Sequence, residues 1–302
     1  MKNDTAIPFF ILIALIVIAL IGPKNVSKTA VNSSSSPKSA GSSAANVVMP
    51  SSLQASSIGL SAGNASYTYQ PYDEYISVYN KGRDPINITG WQLKNSKNER
   101  AYDLGGTLQH FPSDSAVIGQ ATLFVSPQSF NILQDVVLKS GETAIITTGQ
   151  VGSQLPYKIV SFKENTCSGY LEDLLEYKFT PPLTRNCPRP ANEPGITSLD
   201  TECRKFIEKM ASCHTPKFDT RDRDGEICYN CVDNKPLSGS CVTFIKNHFN
   251  YNSCLAYHLG DANFSGHTWR VFLGQSWEMW AQKYETIKLF DKLGRLVSER
   301  SY

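Results

Sequence analysis

Eight cysteines carry the first candidate chemistry. All lie between Cys167 and Cys254, under a third of the 302-residue chain, and an even number in so short a stretch suits disulfides formed in an oxidising compartment. Cys228-Tyr-Asn-Cys231 also has zinc-ligand spacing, which Cys213, His214 or Cys241 could complete to a tetrahedral site, although a second C-x-x-C pair is missing. The same pair could act as a redox dithiol, but it lacks the strand-then-helix setting that lowers a thiol's pKa. Asp222, Asp224 and Gly225 fit three inner positions of a calcium loop. Thr220 and Cys231 occupy its two end positions, where ligands are required, so a solvated turn is the simpler reading. His110, His214, His248, His258 and His267 are scattered; His248 and His258 lie near Tyr251 and Tyr257, as a site or as the amphipathic face of a helix. No histidine pair has H-E-x-x-H spacing. The expectation is therefore no catalytic residue, no metal and no cofactor.

Aromatic residues form a second candidate. Trp277, Trp280 and Tyr284 stand at i, i+3 and i+7, which predicts one face of a helix. That face either packs on the rest of the fold or forms a ligand surface for carbohydrate or a partner protein, where aromatics dominate the energy. Nucleic acid is not an expected partner: residues 1 to 150 carry 10 Lys/Arg against 9 Asp/Glu and residues 151 to 302 carry 19 against 18, so neither half is a basic surface.

The elements that must position these residues begin with an uncharged run of 17, residues 6 to 22, long enough as a helix to span roughly 26 Å. It reads as a single-pass retained signal anchor within residues 1 to 24 rather than a cleaved signal, because it is long and exits through Gly22-Pro23-Lys24. Flanking charges leave its orientation open. The cysteines place the N-terminus in the cytoplasm and the C-terminal bulk outside. Residues 25 to 66 hold 14 serines and only Lys28 and Lys38 as charges, the composition of a disordered tether.

Folding is expected from Tyr67. Ile76 and Val78 share one strand face and Ile86 and Ile88 another; after Gly90 the phase slips so that Trp91 and Leu93 become the apolar positions, which suggests a β-bulge. Ile76, Val78, Trp91 and Leu93 are expected core, with Gly90 turning Trp91 inward. The spacing of later short strands points to an antiparallel sandwich over residues 67 to 154. Residues 155 to 280 change character, with crowded prolines and two helix-like segments, 203 to 213 and 241 to 254, that share Cys-x-x-Phe-Ile and close on a cysteine. If these helices lie antiparallel, Cys203 meets Cys254 and Cys213 meets Cys241, similar to twin C-x9-C helical hairpins, leaving Cys167, Cys187, Cys228 and Cys231 for the remaining bonds. Residues 281 to 302 return to strand character.

Glu74-Tyr75-Ile76-x-Val78-Tyr79-Asn80 followed by Ile86-Asn87-Ile88-Thr89-Gly90-Trp91-x-Leu93 resembles the signature of lamin-tail domains, the Ig-like β-sandwich of nuclear lamins and many bacterial surface and secreted proteins. Leu138 to Ile146 and Glu285 to Val297 resemble its later strand pair and closing hairpin, in the same order. The resemblance implies a mainly β, Ig-like antiparallel sandwich whose last hairpin is delayed by a disulfide-rich, partly helical insertion, in a chain of the bacterial, membrane-anchored type. It also implies a binding or structural module without catalytic residues, so chemistry, if present, belongs to the insertion. The expected partners are the membrane and a cell-surface protein or envelope polymer. The alternatives are an extracytoplasmic hydrolase with its site in the insertion, which converging histidines and carboxylates would favour, and a zinc-stabilised interaction module.

Overall fold

The sheets start earlier than Tyr67. The computed structural model describes residues 52–128, 130–151, 158–219, 221, 225–232 and 235–302; the expected anchor, the tether before residue 52, and the calcium-loop positions Thr220, Asp222 and Asp224 lie outside the described residues. Within the expected tether, β1 (Ile58–Ser61) pairs with β2 (Tyr75–Asn80), Leu60 opposite Val78. Its first three residues are buried, which corrects the expected start of folding: a short apolar strand sits inside a serine-rich composition.

β3 (Ile86–Asn87), β4 (Gln92–Lys94), β5 (Tyr102–Asp103), β6 (Leu108–Gln109), β7 (Ser115–Val117), β8 (Val137–Leu138), β9 (Thr143–Thr147) and β10 (Phe162–Asn165) follow. The chain then makes an excursion over residues 166 to 264, in which β11 (Cys231–Val232) and β12 (Lys235–Pro236) pair, and returns as β13 (Ser265–Phe272), β14 (Thr286–Phe290) and β15 (Leu296–Ser301). One sheet has the order β1-β2-β9-β13-β10 and the other β15-β14-β4-β7. Alternation decides which side chains meet: Ile76 and Val78 lie opposite Ile146 and Ala144 on β9, and Leu93 lies between Ala116 and Leu289. These residues join Trp91, Ile118, Trp269, Val271 and Ile287 in one core cluster drawn from both sheets, an architecture consistent with an Ig-like sandwich. Each buried Ile, Leu or Val among them contributes about 1.5–3 kcal/mol by leaving water.

Two details depart from expectation. Gly90 is not a bulge but a turn residue with φ +81°, whose N–H donates to the Ile118 carbonyl at 2.7 Å. There the chain leaves β3, which pairs with β8, and enters a different sheet through β4. The larger sheet is also not wholly antiparallel, because β9 and β13 run parallel. Parallel neighbours require a long crossover, and β10 with the excursion provides it.

The excursion builds a second core from Phe162, Tyr170, Leu171, Phe179, Ile207, Ile245, Phe249, Tyr251 and Phe264, among others. Its helices are α1 (Gly169–Glu172), α2 (Thr201–Glu208), α3 (Gly239–His248) and α4 (Tyr251–His258). The expected helix over 203 to 213 ends at Glu208. That expected over 241 to 254 is divided: Asn250, in extended conformation, accepts from the Ser253 N–H and starts α4 anew.

Arg270 on β13 joins the two cores. Its Nε donates to Glu164 Oε1, and its two terminal nitrogens donate to the carbonyls of Pro181 at 2.6 Å and Pro182 at 2.8 Å, while Glu164 Oε2 accepts from the Thr184 N–H at 3.3 Å. Arg270 and Glu164 are buried. Exchanging Arg270 for Met strands a buried carboxylate and should cost about 3–5 kcal/mol in urea unfolding of the oxidised chain. Adding Glu164→Leu should recover most of that loss; a single variant within 1 kcal/mol of the parent contradicts this role.

Candidate functional site

The aromatic helix expected at residues 277 to 284 does not form. The segment between β13 and β14 is irregular; Trp280 and Met279 are buried in the sandwich core, whereas Trp277 and Tyr284 are 62% and 87% exposed. Two buried carboxylates explain why. Glu74 accepts from the N–H of Met279 at 2.8 Å and of Trp280 at 3.4 Å, and Glu285 accepts from that of Ala281 at 3.1 Å, so side chains from elsewhere in the chain tie these backbone donors into an irregular path. Asn95 Nδ2 adds a bond to the Met279 carbonyl at 2.7 Å. Trp277 and Tyr284 therefore remain surface aromatics, and Trp280 is core. Burial pushes the Glu74 carboxyl up to about 7 against the backbone donors that favour its charge. Glu285 is likewise buried, but hydrogen bonds from Ser96, Ala281 and Thr286 outweigh burial and hold it below the usual carboxylate range.

The cysteines are all oxidised, in pairs other than the hairpin pairing: Cys167–Cys254, Cys187–Cys213, Cys203–Cys241 and Cys228–Cys231. The correction has a local cause. Asp200 caps α2 by accepting from the Cys203 N–H at 2.8 Å, Ser238 caps α3 by accepting from the Cys241 N–H at 3.2 Å, and the Ser238 hydroxyl donates to Asp200 Oδ2 at 2.9 Å. Two helix N-termini thus meet cap to cap, and each first-turn cysteine faces the other rather than the far end of an antiparallel partner. Cys167–Cys254 closes the excursion beside its root, where the Thr166 N–H donates to the Phe264 carbonyl at 2.9 Å. Gly169 admits Cys187–Cys213, since a Cβ there would stand 2.3 Å from Cys213 Sγ. Cys228 and Cys231 bond to each other, so the sulfurs weighed as zinc ligands or a reactive dithiol are already spent.

His248 and His258 converge on one carboxylate that the sequence did not mark. His258 Nε2 is 3.0 Å from Glu193 Oε1 and its Nδ1 2.8 Å from Asp261 Oδ2. An imidazole between two carboxylates donates from both nitrogens as the cation; burial opposes that charge, yet Asp261 and Glu193 together hold its pKa above the ordinary value. His248 Nε2 lies 3.5 Å from Glu193 Oε2, beyond a good hydrogen bond, and its ring stacks on Phe244 and on Tyr257 at 4.6 Å each. Burial pulls its pKa down against the attraction of Glu193. His214 instead meets Asp173 at 3.0 Å, and His110 lies exposed near the Asn98 carbonyl.

His267 lines a cleft of about 510 Å³ at the root of the excursion. Lys163 lies opposite Trp269 but Asn165 opposite Ser265, so β13 carries two more residues than β10 over this interval and bows away from it. Across the opening run Thr184 and Asn186, fixed by the Arg270 and Glu164 bonds. Asn165 is buried, its Oδ1 accepts from the Cys167 N–H at 2.9 Å, and its Nδ2 finds no partner among the described residues. No sequence period marks this cleft, because it arises from register.

A mainly β fold of several sheets with few helices and four disulfides is consistent with an Ig-like module. Residues 48–173 match the family model described as Lamin Tail Domain. No curated protein and no solved structure matches the chain. No helix among the described residues is long and apolar enough to cross a membrane.

Glu74 sets a pH dependence. Its folded pKa of about 7 stands above the ordinary 4.5, so the folded state binds the proton more tightly. The resulting stabilisation is complete below about pH 4.5 and is lost as pH rises through about 7, a change on the order of 3 kcal/mol. Glu74→Gln keeps an acceptor for Met279 and should flatten the stability profile over this window; parallel wild-type and variant profiles contradict the assignment.

Proposed function

We propose that this chain is a non-catalytic binding or structural module displayed at the cell surface, held by a single-pass N-terminal anchor with its N-terminus in the cytoplasm. The carrying observation is that all eight cysteines are engaged in disulfides, bonds that persist in oxidising compartments. The match of residues 48–173 to the Lamin Tail Domain model supports an interaction or structural role, and the uncharged run at residues 6 to 22 supports the anchor. A cell-surface protein or envelope polymer suits the near-neutral charge; a nucleic acid does not. The test is labelling of intact cells expressing the full chain with a membrane-impermeant maleimide, paired with membrane fractionation. The expected result is no labelling before reduction, eight labelled thiols after it, and release of the chain from the membrane fraction when residues 1 to 24 are deleted. Thiols that react without reduction, or thiols shielded by the membrane, overturn the proposal.

The hydrolase reading draws on His248 and His258 meeting at Glu193. It ranks second because the side chains of Glu193 and His248 are only 8% and 7% exposed and His248 is closed between two rings.

A further inference from the structure

We propose that the cleft at the root of the excursion is a binding site for a neutral saccharide unit. This rests on the surface-module reading for where such a glycan is met, and on the cleft alone for its chemistry.

The cleft is built rather than incidental. The two-residue surplus in β13 opens it, and Gly266 permits the close approach of the bowed strand, since a Cβ there would stand 2.8 Å from the Glu164 carbonyl. The opposite wall is held by Arg270 on the Pro181 and Pro182 carbonyls. Its volume, about 510 Å³, falls within the range of small-ligand sites.

The lining selects the ligand class. Glu164 is the carboxylate among the lining residues, and both of its oxygens are engaged, by Arg270 and by the Thr184 N–H. What remains is amide, hydroxyl and imidazole, including Asn165, Asn186 and His267. Such a surface offers no compensating charge to a phosphate, carboxylate or ammonium ion. An apolar ligand would leave its donors and acceptors unpaired at a cost for each. A neutral molecule dense in hydroxyls satisfies both conditions. Asn165 adds a specific demand: Oδ1 is committed to the Cys167 N–H, which fixes the amide and leaves Nδ2 as a buried donor without an acceptor among the described residues. An extended peptide fits less well, because it would need a free sheet edge, and beside this cleft the outer edge of β10 is already bonded: the Thr122 N–H donates to the Ser161 carbonyl and the Lys163 N–H to the Thr122 carbonyl, both at 2.8 Å.

The experiment titrates the purified, oxidised full chain with chitotriose, cellotriose and maltotriose by isothermal calorimetry. At least one should bind, and Asn186→Ala and His267→Ala, both at exposed positions, should each weaken it about tenfold. Asn165→Ala should do the same where thermal melting shows the fold retained. The proposal is overturned if none of the three binds at millimolar concentration. It is equally overturned if binding survives both exposed substitutions but falls with Trp277→Ala, which would place it on the aromatic surface, or if a neutral tripeptide competes as well as the saccharide. Calorimetry on purified chain is independent of cell topology, so this inference and the surface reading fail separately.

Discussion

One buried guanidinium holds the molecule's two cores together. Arg270 belongs to a sandwich strand, yet every hydrogen bond of its head reaches toward the excursion: to Glu164 where the chain departs and to the Pro181 and Pro182 carbonyls beyond. A charge so placed is tolerable only because its partners are all present; removal of any one exposes the desolvation cost of the rest. Glu164 extends the arrangement to Thr184. The position of the proline-rich wall, and with it the shape of the cleft, therefore follows from a single residue in β13.

Buried carboxylates repeat the device elsewhere. Glu74 and Glu285 gather the backbone N–H groups of the loop before β14, and Glu142 accepts from Lys163 Nζ at 2.7 Å beneath the Trp269 ring. In each case a side chain satisfies main-chain or ammonium donors where regular structure ends, which lets irregular segments run through buried surroundings. Asp200 and Ser238 do so at helix starts, and their mutual hydrogen bond brings Cys203 to Cys241.

What the sequence made legible was whatever depends on local period. Ile76, Val78, Trp91 and Leu93 alternate and are buried, and Gly90 stands where φ turns positive. β1 was hidden because four residues set no period of their own among serines. Trp277, Trp280 and Tyr284 had helical spacing by coincidence, since Glu74 and Glu285 tie the N–H groups of residues 279 to 281 into an irregular path. The disulfide pairing was missed although a sign was present: Asp200 and Ser238 each stand three residues before a cysteine, the spacing of an N-cap to its third helical residue. The cleft had no sign, because a register surplus between β10 and β13 exists only once the strands are paired. Glu193 lay in a proline-rich stretch without pattern, and its histidine partners are brought to it by the disulfide-closed fold.

The central claim is that the excursion is closed at its root and stapled cap to cap. Peptide mapping of the unreduced, thiol-blocked chain by mass spectrometry tests it most directly. The account predicts the cross-linked pairs Cys167–Cys254, Cys187–Cys213, Cys203–Cys241 and Cys228–Cys231. Recovery of Cys203–Cys254 with Cys213–Cys241, or of alkylated free cysteines at these positions, would contradict it.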